Sequence, residues 1–403
     1  MRKIKLAFPL LATLSCLPAH ASVASLLDAD LNSLSVFANT YVTTGANSKV
    51  FGSFEAGAGA TVAAGSMVRD NLFAGAGATL GLASKVGGNF VAAAGGTLGA
   101  DSTVGGSFQA GAAATLGAGS IVGGNLFAGA AAVLGVGSTV SGNLVAGNAV
   151  TLGASAQVSG TTQSSTTPLF TGIPTAASVS AQAALVAKTQ TSLGKLTAGN
   201  TLAATMGGPV SLDAGVYSAT ALTTAAGTAI KLDGHGLANQ LWVFNIDTYL
   251  VTGAGTTVEL INGGSGSSVI WNTGGYTTLG AETAFLGTIF SKDYVTVAAD
   301  VTVKGPNTSC GGIFSASSNV TMGATATVGS EGCSGASSAY WYAVNDAALQ
   351  TQPTLLADRS AAPAPAGSPP PAPNAVPEPA SLGLVFAGLA GMMLTSRRGR
   401  RSQ

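Results

Sequence analysis

The side chains able to do acid–base, nucleophilic or metal chemistry are few and scattered. The 403 residues hold two histidines, three cysteines and 16 carboxylates. His20 lies in a leader-like N-terminal segment, so a triad or metal cluster would have to be built around His235, in Leu232-Asp233-Gly234-His235-Gly236. Set between two glycines, it reads as a turn residue. Glycoside hydrolysis needs two opposed carboxylates, and Asp233, Glu259, Glu282 and Asp293 show no spacing that pairs them. The residues therefore predict no catalytic site, no metal and no cofactor. Cys310 and Cys333 form an even pair in a chain that reads as exported, a context that favours a disulfide over metal binding or catalysis.

The elements that would position any site follow from composition and repeat. With 46% hydrophobic, 8% charged and 6% aromatic residues and 57 glycines, the chain lacks the bulk for a layered α/β core and is too apolar to stay disordered. Phe54, Leu72, Phe90, Phe108, Leu126 and Leu144 are each 18 residues apart, as are Val68, Val86, Val104, Val122, Val140 and Val158. Val62, Leu80, Leu98, Leu116, Leu134 and Leu152 make a third column, and Val36 and Val50 extend the series toward the N-terminus. Within each period apolar residues recur at every sixth position, usually followed by Gly. Three hexapeptides per period predict an all-β fold, a three-sided β-solenoid (β-helix) over residues 36–161, with coils stacked about every 4.8 Å.

Two outward columns follow from that register. Thr61, Thr79, Thr97, Thr115 and Thr151 precede inward residues and must face out, interrupted by Val133. Gly59, Gly77, Gly95, Ala113, Ala131 and Ala149 lie beside them, so this side should be flat, weakly polar and almost uncharged. Threonine is also simply a good residue for an exposed strand position. The second column, Phe73, Val91, Gln109, Phe127 and Val145, is too apolar to stay bare. Residues 175–196 read as one long α-helix with Val179, Ala183, Val186 and Leu193 near one face, and this helix is expected to pack alongside the solenoid on that column.

Both ends read as processing signals. Arg2, Lys3 and Lys5, an apolar run from Leu6 to Leu17 and Ala19-His20-Ala21 have the order of a signal peptide over 1–21. Cys16 lacks the leucine three residues earlier that a lipoprotein signal would carry. Residues 361–379 form a Pro/Ala linker. Pro377-Glu378-Pro379, an apolar stretch from Leu382 to Leu394 and the arginines from Arg397 to Arg401 follow. Residues 376–403 resemble the PEP-CTERM sorting signal of Gram-negative bacteria. That resemblance implies transient inner-membrane anchoring by a short transmembrane helix, cleavage by an exosortase near Pro377-Glu378-Pro379, and travel with exopolysaccharide to the cell surface or extracellular matrix. A permanent single-span anchor is the plainer reading of the same residues. From Ser22 to Ser396 nine basic residues face 16 acidic ones, a net charge of −7 that excludes a nucleic-acid footprint.

From residue 197 to 345 the strands become irregular. Leu212-Asp213-Ala214-Gly215-Val216-Tyr217, Asn239-Gln240-Leu241-Trp242-Val243-Phe244, Val269-Ile270-Trp271-Asn272 and Phe285-Leu286-Gly287-Thr288-Ile289 occur in order. This order resembles the C-terminal half of bacterial and microalgal ice-binding proteins, whose fold is a discontinuous β-solenoid with one long helix alongside. The regular array replaces the family's usual N-terminal segment, and a Cys-bearing insertion follows Lys304-Gly305. The family's Thr-Ala/Gly-x-Thr/Asn pattern occurs at Thr44-Gly45-Ala46-Asn47 and Thr197-Ala198-Gly199-Asn200. The resemblance implies noncatalytic binding of ice or ordered water, and the threonine side of the array is the expected face. A structural or adhesive role in the exopolysaccharide matrix, without ice activity, is the alternative.

Overall fold

The computed structural model describes residues 23–25, 27, 29–164, 176–337 and 340–342. The leader, the Pro/Ala linker and the sorting signal with Pro377, Glu378 and Pro379 lie outside the described residues.

Short parallel strands stack into three sheets of 14, 13 and 13 strands, which form the sides of a three-sided β-solenoid. One side is here called the helix-side sheet, the next the threonine sheet and the last the third sheet. In the array the core repeats coil by coil. Phe54, Leu72, Phe90, Phe108, Leu126 and Leu144 are fully buried from the helix-side sheet, and Val68, Val86, Val104, Val122 and Val140 from the third. Phe90 and Phe108 meet edge to face, their ring centres 4.9 Å apart. Such a coil buries its interior only against its neighbours, so stacking itself provides the core.

The chain does not run from one end of the stack to the other. It enters in the middle with Leu34–Ala38, Val42–Thr44 and Lys49–Val50, and each turn moves outward until Thr162–Ser164. It resumes at the opposite end with Asn200–Thr201, and its later coils return to the middle. There Val36 pairs with Ile313, Val42 with Val320 and Val50 with Val328, so the first and last coils join in register on all three sides. The array and the irregular half are therefore one continuous stack with an internal seam.

A one-turn helix α1 (Ala29–Asn32) and a long helix α2 (Ala176–Gly194) lie on the outside of the helix-side sheet. Val179, Val186 and Leu193, seven residues apart, are buried with Phe37, Phe314, Phe290, Ile270 and Val243. The ends of α2 are fixed differently. Val179 lies against Gly57 and Gly75, while Asn245 Nδ2 donates to Leu193 O at 2.8 Å and Asn272 Nδ2 to Gln190 O at 3.1 Å. Nineteen residues at 1.5 Å span about 28 Å, the height of the coils from Gly75 down to Asn245. This corrects the expected placement on Phe73 to Val145. The helix occupies the continuation of that column, where Phe314, Phe290, Ile270 and Val243 offer more apolar bulk and the asparagines supply its polar anchors.

Candidate functional site

The threonine sheet carries an outward column that crosses the seam without a shift. Thr151, Val133, Thr115, Thr97, Thr79, Thr61 and Thr43 are paired in register. Thr43 pairs with Thr321, and the column continues through Thr296, Thr278, Val251 and Thr223 to Thr205. Eleven of the 13 positions are threonine, two are valine and none is charged. Twelve steps of about 4.8 Å make it roughly 58 Å long. On the array side each of these residues is exposed, Thr43 through Thr151, while Thr321, Thr296, Thr278 and Thr223 are half-buried and Thr205 is exposed.

The register of the column is supported by the corner that follows. In coil after coil the outward residue is followed by an inward residue, two further residues that are mostly small and a residue with positive φ, and in most coils a buried hydroxyl comes next. Asn47, Ala83, Asp101, Ser155, Glu282, Asp300 and Thr325 all adopt φ between 53 and 59°, and Gly65, Gly119, Gly137, Gly227 and Gly255 take φ between 66 and 70° at the same place. The next residue turns inward and ties the corner. Ser102, Ser120 and Ser138 donate to the carbonyls of Gly99, Gly117 and Gly135 at 2.6 to 2.8 Å, and Thr228 and Thr256 do the same to Ala225 and Gly253. A second corner is held by a side-chain ladder, in which Asn71 and Asn89 accept from the backbone N–H of Asn89 and Ser107, and Asn125 and Asn143 from that of Asn143 and Thr161. Backbone pairing in register, with these bonds recurring in many of the coils, holds the threonines on one line.

The flanks of the column differ between the halves. Beside the array threonines lie Gly59, Gly77 and Gly95, then alanines. Beside the irregular half stand Tyr249, Tyr276 and Tyr294, with their rings stacked at 5.4 and 4.9 Å. Tyr41, 58% exposed, lies against Gly59 where the two halves meet.

The other residues considered for chemistry do not converge on a site. His235 Nε2 lies 2.7 Å from Asp213 Oδ1 and its Nδ1 3.7 Å from Asp233 Oδ1. The hydrogen bond with Asp213 and the charge of Asp233 raise the imidazole above its ordinary value, and bonds from Asn262 and the His235 N–H lower Asp233. The cluster is open to solvent. Glu259 pairs with Lys231 at 3.7 Å, and Glu282 sits at one of the corners. Asp293 accepts from Ser317 at 3.3 Å. Among the described residues no group of three or more His, Cys, Asp or Glu could hold a metal ion. Cys310 and Cys333 are joined by a disulfide. Around it Arg69 Nη1 donates to Cys333 O at 3.2 Å, and Ala336 N and Ser337 N donate to Asn32, so the insertion straps the last coil to the first ones. Thr44 faces inward and accepts from Ala63 N–H, which removes it from the outward face. Thr197-Ala198-Gly199-Asn200 leads into the terminal coil.

Thr43 keeps the 18-residue step from Thr61 but sits in the weaker first turn, and Thr205, Thr223, Thr278, Thr296 and Thr321 are absent from the sequence expectation because loops of unequal length break the period. The signal was local. Ala60-Thr61-Val62-Ala63-Ala64-Gly65-Ser66 of the array has its counterparts in Val42-Thr43-Thr44-Gly45-Ala46-Asn47-Ser48 and Leu222-Thr223-Thr224-Ala225-Ala226-Gly227-Thr228.

The architecture is that of a discontinuous three-sided β-solenoid with a long helix alongside and one uncharged hydroxyl column. Residues 153–328 match the family model described as Ice-binding-like. A stretch of 113 residues is 33% identical to Ice-binding protein 1 of Shewanella frigidimarina (strain NCIMB 400), covering 28% of this chain and 12% of that relative. The chain thus spans only a small part of that relative's length. Among solved structures, the ice-binding protein of the Antarctic ascomycete Antarctomyces psychrotrophicus aligns at 18% identity over 75% of this chain and 97% of its own, with a TM-score of 0.40. The DUF3494 domain of Shewanella frigidimarina ice-binding protein_1 aligns at 22% identity over 50% and 91%, with a TM-score of 0.35.

Proposed function

We propose that this chain is an exported, noncatalytic ice-binding protein whose contact face is the threonine column. The observation that carries the reading is the register: one straight, uncharged row of hydroxyls and methyls passes through the array, across the seam and into the segment similar to the Ice-binding-like family. An ordered water layer needs regularly spaced polar and apolar groups on a rigid plane. Backbone pairing in every coil, supported by corner hydrogen bonds in many of them, supplies the regular spacing.

The test is thermal hysteresis and inhibition of ice recrystallisation by the full chain, wild type against Thr97→Tyr/Thr115→Tyr. Both positions are exposed, so the double variant should lose under about 0.5 kcal/mol per site while its activity falls several-fold. A folded wild type without activity sends the function to the matrix reading. Full activity in the variant leaves ice binding in place and moves the face elsewhere.

Sorting belongs to the same proposal. Residues 376–403 act as a PEP-CTERM signal: the short span holds the chain in the inner membrane until an exosortase cuts near Pro377-Glu378-Pro379, and the released protein reaches the surface or the exopolysaccharide. Mass spectrometry of surface protein from a host with an exosortase should end near Pro379. Intact Gln403 on that material leaves a simple anchor.

A further inference from the structure

The two ends of the stack are finished differently. At the irregular end the terminal coil carries Pro209 and Asp213 and buries Met206 and Leu212, and its strands Asn200–Thr201 and Thr205–Met206 are only two residues long. Short edges, proline and charge are the usual protections against pairing with another chain. The array end is also built from strands of two or three residues, but it has neither the proline nor the charge. Val150–Leu152, Gln157–Val158 and Thr162–Ser164 are the terminal strands of all three sheets, and residues 102–187 contain no Asp, Glu, Lys or Arg. Leu152, which continues the inward Leu116–Leu134 column, is 49% exposed, and Val150, Ala156 and Val158 are only half-buried.

The edge also matches itself. One coil earlier, the Ala132 N–H donates outward to Ala149 O, so the equivalent Val150 N–H points off the open end; Gly153 N–H points back, to Leu134 O. The alternation of a strand then places the N–H and C=O of Val150 and Leu152 outward and those of Thr151 toward the array. A two-fold axis through Thr151 sets Val150 of one copy opposite Leu152 of the other. These two exchange both backbone hydrogen bonds, and Thr151 faces its own copy as a non-hydrogen-bonded pair. The same axis lays Gln157–Val158 on the other copy's Thr162–Ser164.

We propose that two copies of this chain associate head to head through the array's terminal coil, by antiparallel pairing of Val150–Leu152 about Thr151. The surface covered is a few hundred Å² per copy, well below the roughly 800 Å² per partner of a standard interface, so association depends on concentration. If the threonine column binds ice as proposed above, the dimer doubles its length; the association itself does not rest on that reading.

Sedimentation velocity of the full chain over a concentration series should show a monomer–dimer equilibrium that stops at two, and Leu152→Lys should weaken it at least tenfold with an unchanged circular dichroism spectrum. Thr151→Cys should form an intermolecular disulfide far faster than Thr97→Cys, which lies on the same face in mid-array with the same native cysteines. A wild type monomeric throughout, or equal cross-linking at the two positions, overturns the proposal. Growth beyond two copies overturns the two-fold arrangement in favour of head-to-tail stacking. Neither measurement involves ice, so failure here and failure of the ice reading are separate results.

Discussion

Glu55 stands at an outward position of the helix-side sheet, in register between Phe37 and Phe73, and is 8% exposed. Burial among these rings pushes its carboxyl up to about 7, with a further contribution from the charge of Asp30. The folded state therefore holds its proton more tightly than the unfolded one. Stability from this group is complete below the unfolded value near 4.5 and is lost as the pH rises through about 7. The interval corresponds to about 3 kcal/mol. Glu55→Gln should melt with the wild type at pH 4 and well above it at pH 8. Equal melting temperatures at pH 8 would show that Glu55 carries its charge at no cost. The position was not legible in the sequence: Glu55 falls in the same column as Phe73, Val91 and Phe127, but only the placement of α1 and Asp30 reveals that it is covered.

At the scale of the coil, period alone located the inward residues, because a stack of identical turns leaves no other way to bury a residue that recurs every 18 positions. Leu98 shows the consequence. It is 1% exposed between Leu80 and Leu116, whose own neighbours repeat the contact. Leu98→Ala should cost about 2 to 5 kcal/mol through the cavity left in a coil that cannot collapse without shifting the strands on both sides. Chemical denaturation, with the exposed neighbour Thr97→Ala as reference, checks this, and a loss near that of the reference would mean that adjacent coils close the gap. The buried corner hydroxyls, by contrast, look in the sequence like ordinary loop serines. Ser102, Ser120 and Ser138 acquire their meaning only when the corner brings a glycine carbonyl three residues back within hydrogen-bond distance. The helix was legible in its extent and apolar face, but not in its berth. Its spacing of seven fits any apolar groove, and only Asn245, Asn272 and Gln190 decide which one.

For the whole stack, the decisive feature is the seam, which no local pattern announces. Val36 and Ile313 are 277 positions apart, yet they pair as if consecutive coils. The repeat ends where loops of unequal length begin, so the sequence divides the chain into two regions that the fold joins into one. A stack of this kind gains stability as a sum of coil and nearest-neighbour terms, and the array should then shorten by whole coils without disturbing the seam. Removal of residues 90–107 tests this. Asn89 then precedes Phe108 as Ser107 did, Leu72 stacks on Phe108, and the threonine column loses Thr97 alone. The shortened chain should unfold in one transition and keep its disulfide. If the threonine column binds ice as proposed, activity should decline modestly, because one position of 13 is gone while the row stays unbroken. Separate unfolding of the two halves would place the weak point at the seam. Complete loss of activity with the fold intact would mean that the contact needs Thr97 itself rather than the length of the row.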